Sequence, residues 1–349
     1  MRIAQISPLF EAVPPNLYGG TERVVSHLTE ELVAMGHDVT LFASGDSVTS
    51  ARLQPVLPRA IRLDPTVRDW LAAYMQMLEM VYRRADEFDV LHFHIDYFPF
   101  SLFKRQRTPF VTTLHGRLDL PEYAKVYNLF PDVPVISISE SQRKPLPRLD
   151  WVATVLHGVP ETLLTPRPVK PAYLAFLGRI SPEKGVDKAI RIAAAAGMRL
   201  KVAAKVDKAD QEYFDSQIKP LLAAGHVEFI GEINDSQKSE FLSGAHALLF
   251  PIDWPEPFGL VMIEAMACGT PVVAFNRGSV PEVIDHGVSG FIVPDERAAI
   301  AALDRVAELD RATVRRHFER RFTARRMAVD YLEAYESLLE APKLRAVGD

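Results

Sequence analysis

Residues 2–43 read RIAQISPLFEAVPPNLYGGTERVVSHLTEELVAMGHDVTLFA. The apolar residues Ile3, Ala4 and Ile6 predict a strand over Arg2–Ser7. A loop bearing proline and glycine follows, from Pro14 to Gly20. Val24, Val25, Leu28, Leu32 and Val33 then recur at helical spacing, with Thr21 placed to cap the helix and Gly36 to end it. Asp38–Ala43 reads as the next strand. Short apolar strands separated by helices argue for a parallel sheet covered by helices on both faces.

The alternation continues outward from this stretch. Strands are expected at Asp89–Phe93, Phe110–Leu114 and Pro134–Ile138. It pauses over Pro160–Pro171, which holds Pro160, Pro166, Pro168 and Pro171 and little apolar periodicity. Proline stiffens such a stretch, so 161–171 reads as a linker. Strands resume at Tyr173–Leu177, Arg199–Ala203, Val227–Ile230, Ala247–Phe250 and Pro271–Phe275. Helices are expected from about Glu183, over Ala209–Ala223, and from Ala298 onward. The expectation is a doubly wound domain over 1–160, a second over 172–322, and a final helix within 323–349. Two such lobes joined by a hinge imply a cleft, and ligands bind beyond the carboxyl ends of parallel strands.

Length supports this division: at ~150 residues per domain, 349 residues make about two. Hydrophobic residues are 48% and charged residues 24%, which excludes a disordered chain, a collagen and a coiled coil. The net charge is −5, and both halves are mildly acidic, with 16 Lys and Arg against 18 Asp and Glu through Val155 and 24 against 27 thereafter. No nucleic-acid partner is expected from that balance. Cys268 is the single cysteine, so neither an intramolecular disulfide nor a cysteine-based zinc site can form. No apolar run approaches the ~18 residues that span a bilayer. The first strand is too short for a signal-peptide core. A cytoplasmic protein is expected, with a peripheral seat on a membrane left open.

Four stretches hold residues that suit chemistry. Tyr18-Gly19-Gly20-Thr21 sits between a strand and a helix, where glycines let the backbone approach an anion; a phosphate contact and a plain tight turn both fit. Gly178-Arg179-Ile180-Ser181-Pro182-Glu183-Lys184-Gly185 puts an arginine and a lysine at a strand-to-helix junction. Arg179 can fork onto a phosphate and Lys184 can act as a mobile charge, or both can be solvated. In Trp254-Pro255-Glu256-Pro257-Phe258-Gly259-Leu260, two prolines hold Glu256 in an extended turn and Gly259 opens a helix. Glu264 lies on that helix in an apolar run, where an unpartnered carboxylate is costly. A ligand hydroxyl or an N-cap bond would satisfy it. The two glutamates also suggest a glycosidase, whose carboxyls lie ~5–9.5 Å apart. Eight residues of helix at ~1.5 Å each span about 12 Å, which disfavours that pairing.

In this order, GRISPEKG (178–185), EPFGLVMIEAMACGTPVVAF (256–275) and PEVIDHGVSGFIV (281–293), with the glycine loop, resemble a glycosyltransferase of family 4 over nearly the whole chain. The marker is the E-x7-E spacing of Glu256 and Glu264. The resemblance implies the GT-B fold: two Rossmann-like doubly wound domains facing across a cleft. It implies a retaining transfer from a nucleoside-diphosphate sugar, a substrate and not a cofactor, to an acceptor hydroxyl. Arg179 and Lys184 would bind the diphosphate, aided by Gly19 and Gly20. Glu264 would bind the ribose. Glu256 and the amides of Phe258, Gly259 and Leu260 would hold the transferred sugar or its phosphate. Glu232 and Ile233 would lie beside the base. His115 would lie beside the donor sugar, and the last helix, with Met327, Tyr331 and Tyr335, would return to the first lobe.

His92 and His94 share a strand face and, with Asp96, imitate a metal-binding pair. No matching second cluster follows, so a metal-independent reaction is expected. The seven arginines of Arg311–Arg326 fit either a solvated helical face or a patch for an anionic surface. Acceptor choice is expected around Trp70, Tyr97 and Arg117–Tyr123. A phosphorylase or sugar-nucleotide epimerase of the same fold, and a non-catalytic binding module, are the alternatives.

Overall fold

The computed structural model describes residues 1–16 and 19–340. They divide into two units. The first comprises Met1–Gly158 and the C-terminal helix Ala324–Glu340; the second is Val159–Thr323.

The first unit is built on a sheet of seven strands: β1 (Arg2–Ile6), β2 (Asp38–Ser44), β3 (Arg52–Leu57), β4 (Val90–Phe93), β5 (Phe110–Thr113), β6 (Pro134–Ser137) and β7 (Asp150–Thr154). Their order is β3-β2-β1-β4-β5-β6-β7, and every pairing is parallel. The order reverses between β1 and β4. The second unit repeats the plan with β8 (Tyr173–Arg179), β9 (Leu200–Lys205), β10 (Val227–Gly231), β11 (Ala245–Phe250), β12 (Val272–Phe275) and β13 (Gly290–Val293). Its order is β10-β9-β8-β11-β12-β13, also parallel, with the reversal between β8 and β11. Both units are therefore doubly wound α/β sheets, and the loops after β1, β4, β8 and β11 flank the places where such sheets bind ligands.

Central strands are buried on both faces because helices cover both, and most of their residues are apolar, with Gln5, His92, Thr112 and Thr113 as buried polar exceptions. Leu91, Phe93, Phe42 and Phe103 anchor the first core; Phe176, Val202, Leu249 and Val273 anchor the second.

Three strands escape the sequence pattern, and all lie at or toward sheet edges. β3 carries Pro55, which an edge strand tolerates because one side needs no ladder bond. β7 is half-buried along its length, and its apolar run is only Trp151-Val152-Ala153 between Asp150 and Thr154. β13 is the other edge strand of the second sheet. The helix Trp70–Arg83, capped by Asp69, has no counterpart in the strand-and-helix pattern of the sequence, and Trp70 opens it. Tyr123 likewise lies on a helix, Pro121–Tyr127.

The expected helix over Ala209–Ala223 is interrupted. A π-helical turn at Phe214–Ile218 leads into Lys219–Leu222, where Pro220 lacks the N–H that a regular turn requires. The first helix begins at Gly20, two residues earlier than a cap at Thr21 implies, so Gly19 is its cap.

The proline-bearing stretch belongs to the second unit and is bound along it. Thr165 N donates to Ser239 Oγ at 3.2 Å and Arg167 N to Ser243 Oγ at 3.0 Å. Arg315 donates to the carbonyls of Glu161, Leu164 and Ala267, and Arg311 to those of Ser243 and Ala245. These two arginines are neither a solvated face nor an anion patch. They satisfy carbonyls at helix ends, in turns and at the start of β11.

Candidate active site

In the second unit, β8 ends at Arg179 and a single 3₁₀ turn, Pro182–Lys184, precedes the helix Val186–Ala195. Gly185 joins them with φ 71°, and a Cβ there would sit 2.2 Å from the carbonyl oxygen of Pro251. Only glycine lets the loop after β8 press against the loop after β11. The second loop is stitched in turn to the third: Ser279 N donates to the Glu256 carbonyl at 3.0 Å and Ser279 Oγ to that of Phe258 at 2.8 Å.

This packing brings Lys184 onto Glu256. Lys184 Nζ lies 2.5 Å from Glu256 Oε2, and Trp254 Nε1 donates to the same oxygen at 2.9 Å. Lys184 also stands 5.0 Å from the Trp254 ring centroid. Trp254 closes this triad; as a residue flanking the motif, it was visible in sequence without a role. Arg179 is about one-third exposed and bonds Glu183 Oε1 at 2.7 Å, with Asp207 and Asp210 each at 3.7 Å. Burial alone would raise the Glu183 carboxyl, but backbone donors, Ser181 and Arg179 together hold it below its usual range. The two cations therefore stand each beside a carboxylate, not in a bare positive pocket.

The helix after the second loop starts at Leu260, with Gly259 as its cap at φ 83° and Phe258 buried just before it. Glu256 lies outside that helix, so helical rise does not measure its distance from Glu264. Glu264 is buried, and its Oε1 accepts from Lys238 Nζ at 2.7 Å. Neither a ligand hydroxyl nor an N-cap bond is needed to explain its burial. Lys238 sits on the helix Asp235–Ser243, whose start Asn234 and Gln237 cap reciprocally. Sequence reasoning missed it, since a lysine on a polar helix carries no local sign of burial. Glu232 and Ile233 lie half-exposed on the loop between the edge strand β10 and the helix that carries Lys238.

In the first unit, Gly19 and Gly20 begin the helix Gly20–Ala34; Tyr18 lies outside the described residues. Two residues further, Glu22 is buried, and burial together with nearby Glu11 pushes its carboxyl up to about 7. Asp96, just after β4, has φ 52°, a conformation Asp tolerates better than most residues. Burial pushes its carboxyl up to about 6. Trp70, Tyr74 and Phe98 form an aromatic cluster close by in the chain, with ring centroids 5.4–6.0 Å apart.

The histidines do not form a metal pair. His92 Nδ1 meets the Tyr335 hydroxyl at 2.6 Å and Nε2 meets Thr113 Oγ1 at 2.7 Å. His94 Nε2 meets Gln5 Oε1 and Nδ1 meets His115 Nε2, both at 2.8 Å. All four nitrogens are thus engaged, and no group of three or more His, Cys, Asp or Glu among the described residues is placed to hold a metal. Burial lowers His92, His94 and His157 well below the usual range and His115 to about 3, so all four are neutral imidazoles at neutral pH. Tyr331 and Tyr335 of the last helix do more than pack: their hydroxyls join this network.

Comparison with known proteins agrees with this architecture. Residues 18–173 match the family model described as Glycosyltransferase Family 4, and residues 165–322 match Glycosyl transferases group 1. A phosphatidyl-myo-inositol mannosyltransferase of Mycobacterium leprae is 28% identical over 91% of this chain and 90% of its own. A glycogen synthase of Mycobacterium tuberculosis is 26% identical over 90% of this chain and 88% of its own. The structure of Anabaena HepE in complex with UDP and glucose superposes with a TM-score of 0.71 at 20% identity, over 97% of this chain and 100% of that one. Among the described residues no helix is long and apolar enough to cross a membrane.

Proposed function

We propose that this chain, which is a glycosyltransferase of the GT-B fold similar to family 4, moves a sugar from a nucleoside diphosphate to an acceptor hydroxyl with retention of configuration. One observation carries the reading. Arg179 and Lys184 stand at the sheet reversal of the second unit, each held by a carboxylate that an incoming diphosphate can replace.

In this reading Arg179 and Lys184 bind the diphosphate, with the amides of Phe258, Gly259 and Leu260 as further donors. Lys238 occupies Glu264 Oε1 and thereby orients the other oxygen toward ribose hydroxyls. Glu232 and Ile233 flank the base. The sugar–phosphate bond breaks as the acceptor oxygen bonds the same carbon, and the acceptor proton passes to the departing phosphate oxygen. Charge gathers on that phosphate, where two cations and preset amides stabilise it. Trp254 still donates to Glu256 Oε2 after the diphosphate has taken Lys184, and in this reading attack comes from the front face with no covalent intermediate. His115 and Asp96 serve the sugar and acceptor side. The two cations supply the charge that a metal would otherwise bring, so turnover should persist in a chelator.

A thermal-shift series with UDP-, GDP- and ADP-sugars identifies the donor, since a ligand at 100 times its Kd stabilises by about 2.7 kcal/mol. With that donor, Arg179→Ala and Lys184→Ala should each lower turnover at least about 100-fold. Unchanged turnover in both would refute the assignment. The anomeric form of the first product, read by NMR, tests retention.

A further inference from the structure

The polar network of the first unit goes one step beyond this reading, while resting on it for the premise that His115 faces substrate. β1 contributes Gln5, β4 His92 and β5 Thr113; His94 and His115 follow β4 and β5, and the last helix contributes Tyr331 and Tyr335. Gln5 is the node. Its Nε2 donates to the Tyr335 hydroxyl at 3.1 Å and its Oε1 accepts from His94 Nε2 at 2.8 Å.

Donor and acceptor rules propagate from that amide in both directions. An amide oxygen can only accept, so His94 carries its proton on Nε2. A neutral His94 then offers a lone pair at Nδ1, and His115 Nε2, 2.8 Å away, must donate to it. A neutral His115 with its proton on Nε2 keeps a bare lone pair on Nδ1. In the other arm Tyr335 donates to His92 Nδ1, His92 Nε2 donates to Thr113, and Thr113 donates to Tyr331 at 3.1 Å.

Reversing the Gln5 amide would reverse every bond in both arms. His115 Nδ1 is buried and has no hydrogen-bond partner among the described residues. Under the reversed polarity it would be an orphaned N–H, which folded proteins avoid more strictly than an unmet acceptor. The rings have no third option, because burial keeps them neutral. The His157 ring stacks on His115 at 5.3 Å, and His157 is itself kept neutral by burial, by His115 and by the Arg326 charge.

We propose that Gln5, acting through His94, is a positioning residue that fixes His115 as the Nε2–H tautomer, so that Nδ1 accepts a hydrogen bond from a substrate hydroxyl. The site would then select a sugar bearing a hydroxyl at that position over its deoxy or fluoro analogue.

Long-range ¹H–¹⁵N correlation spectra of the full chain, with His115 assigned through His115→Gln, read the tautomer directly and without turnover. The expected wild-type result is His115 protonated on Nε2. Gln5→Met, which keeps volume and removes the acceptor, should give mixed tautomers and lower kcat about tenfold, the worth of one hydrogen bond. A wild-type His115 protonated on Nδ1 overturns the proposal, as does a tautomer unchanged in Gln5→Met. Should Gln5→Met not fold, the wild-type spectrum decides alone. His115→Ala with unchanged turnover would overturn the substrate-facing role by itself, while the spectra still judge Gln5.

Discussion

Lys238→Met isolates the buried pair that holds Glu264. The Lys238 side chain is 9% exposed and that of Glu264 5%, with 2.7 Å between the charges. Replacing the lysine by an apolar chain of similar length keeps the volume but leaves a carboxylate buried, with its main compensating charge removed. Breaking a buried pair in this way costs about 3–5 kcal/mol, whereas replacing both partners by apolar groups is often close to neutral. Asp235, 3.1 Å from Lys238, sits nearer the surface and cannot compensate, since it is itself an anion. The assay is urea unfolding of the full chain followed by Trp254 fluorescence, Trp254 being the only tryptophan of the second unit. Lys238→Met should lose about 3–5 kcal/mol, and Lys238→Met with Glu264→Leu should recover to within about 1 kcal/mol of wild type. A single variant that loses less than about 1 kcal/mol, or a double variant no better than the single, would refute the account of Glu264 as a carboxylate held by its partner. Donor affinity should fall in both, because the single variant removes the lysine that orients Glu264 and the double variant removes the carboxylate itself.

Three further outcomes follow from other parts of the molecule. Gly185→Ala would place a methyl 2.2 Å from the Pro251 carbonyl at φ 71°; it should cost about 3 kcal/mol or more and abolish the donor-induced thermal shift. His92, His94 and His157 are held neutral by burial, so the unfolded chain takes up protons first as pH falls below ~6.5. Stability should therefore drop on acidification, by at most about 1.4 kcal/mol per histidine at pH 5.5, measured by denaturant unfolding across pH. Glu22 acts in the opposite direction. Its native carboxyl, up to about 7, holds a proton that the unfolded one has released, so its contribution weakens as pH rises from 4.5 to 7. Glu22→Gln should gain stability over wild type as pH rises through that window, by about 2 kcal/mol between pH 5.5 and 7.5. A constant difference across the window would contradict it.

Local pattern along the chain was enough to read the doubly wound plan and the loops that matter. Strand and helix periodicity is local: Ile3, Ala4 and Ile6, or Val24, Val25 and Leu28, declare their element within a few residues. Glycine and proline marked the turns for the same reason. The edge strands β3 and β7 were illegible because an edge need not be apolar or free of proline. Arg179, Lys184, Glu256 and Glu264 could be singled out by charge and position. Their partners could not. Lys184 meets Glu256 across 72 residues, Glu264 meets Lys238 across 26, and His92 meets Tyr335 across 243. Such pairs are decided by which loops the sheet order brings together, and no local pattern encodes that. The same holds for the direction in which a buried hydrogen-bond chain runs, because it depends on every member at once.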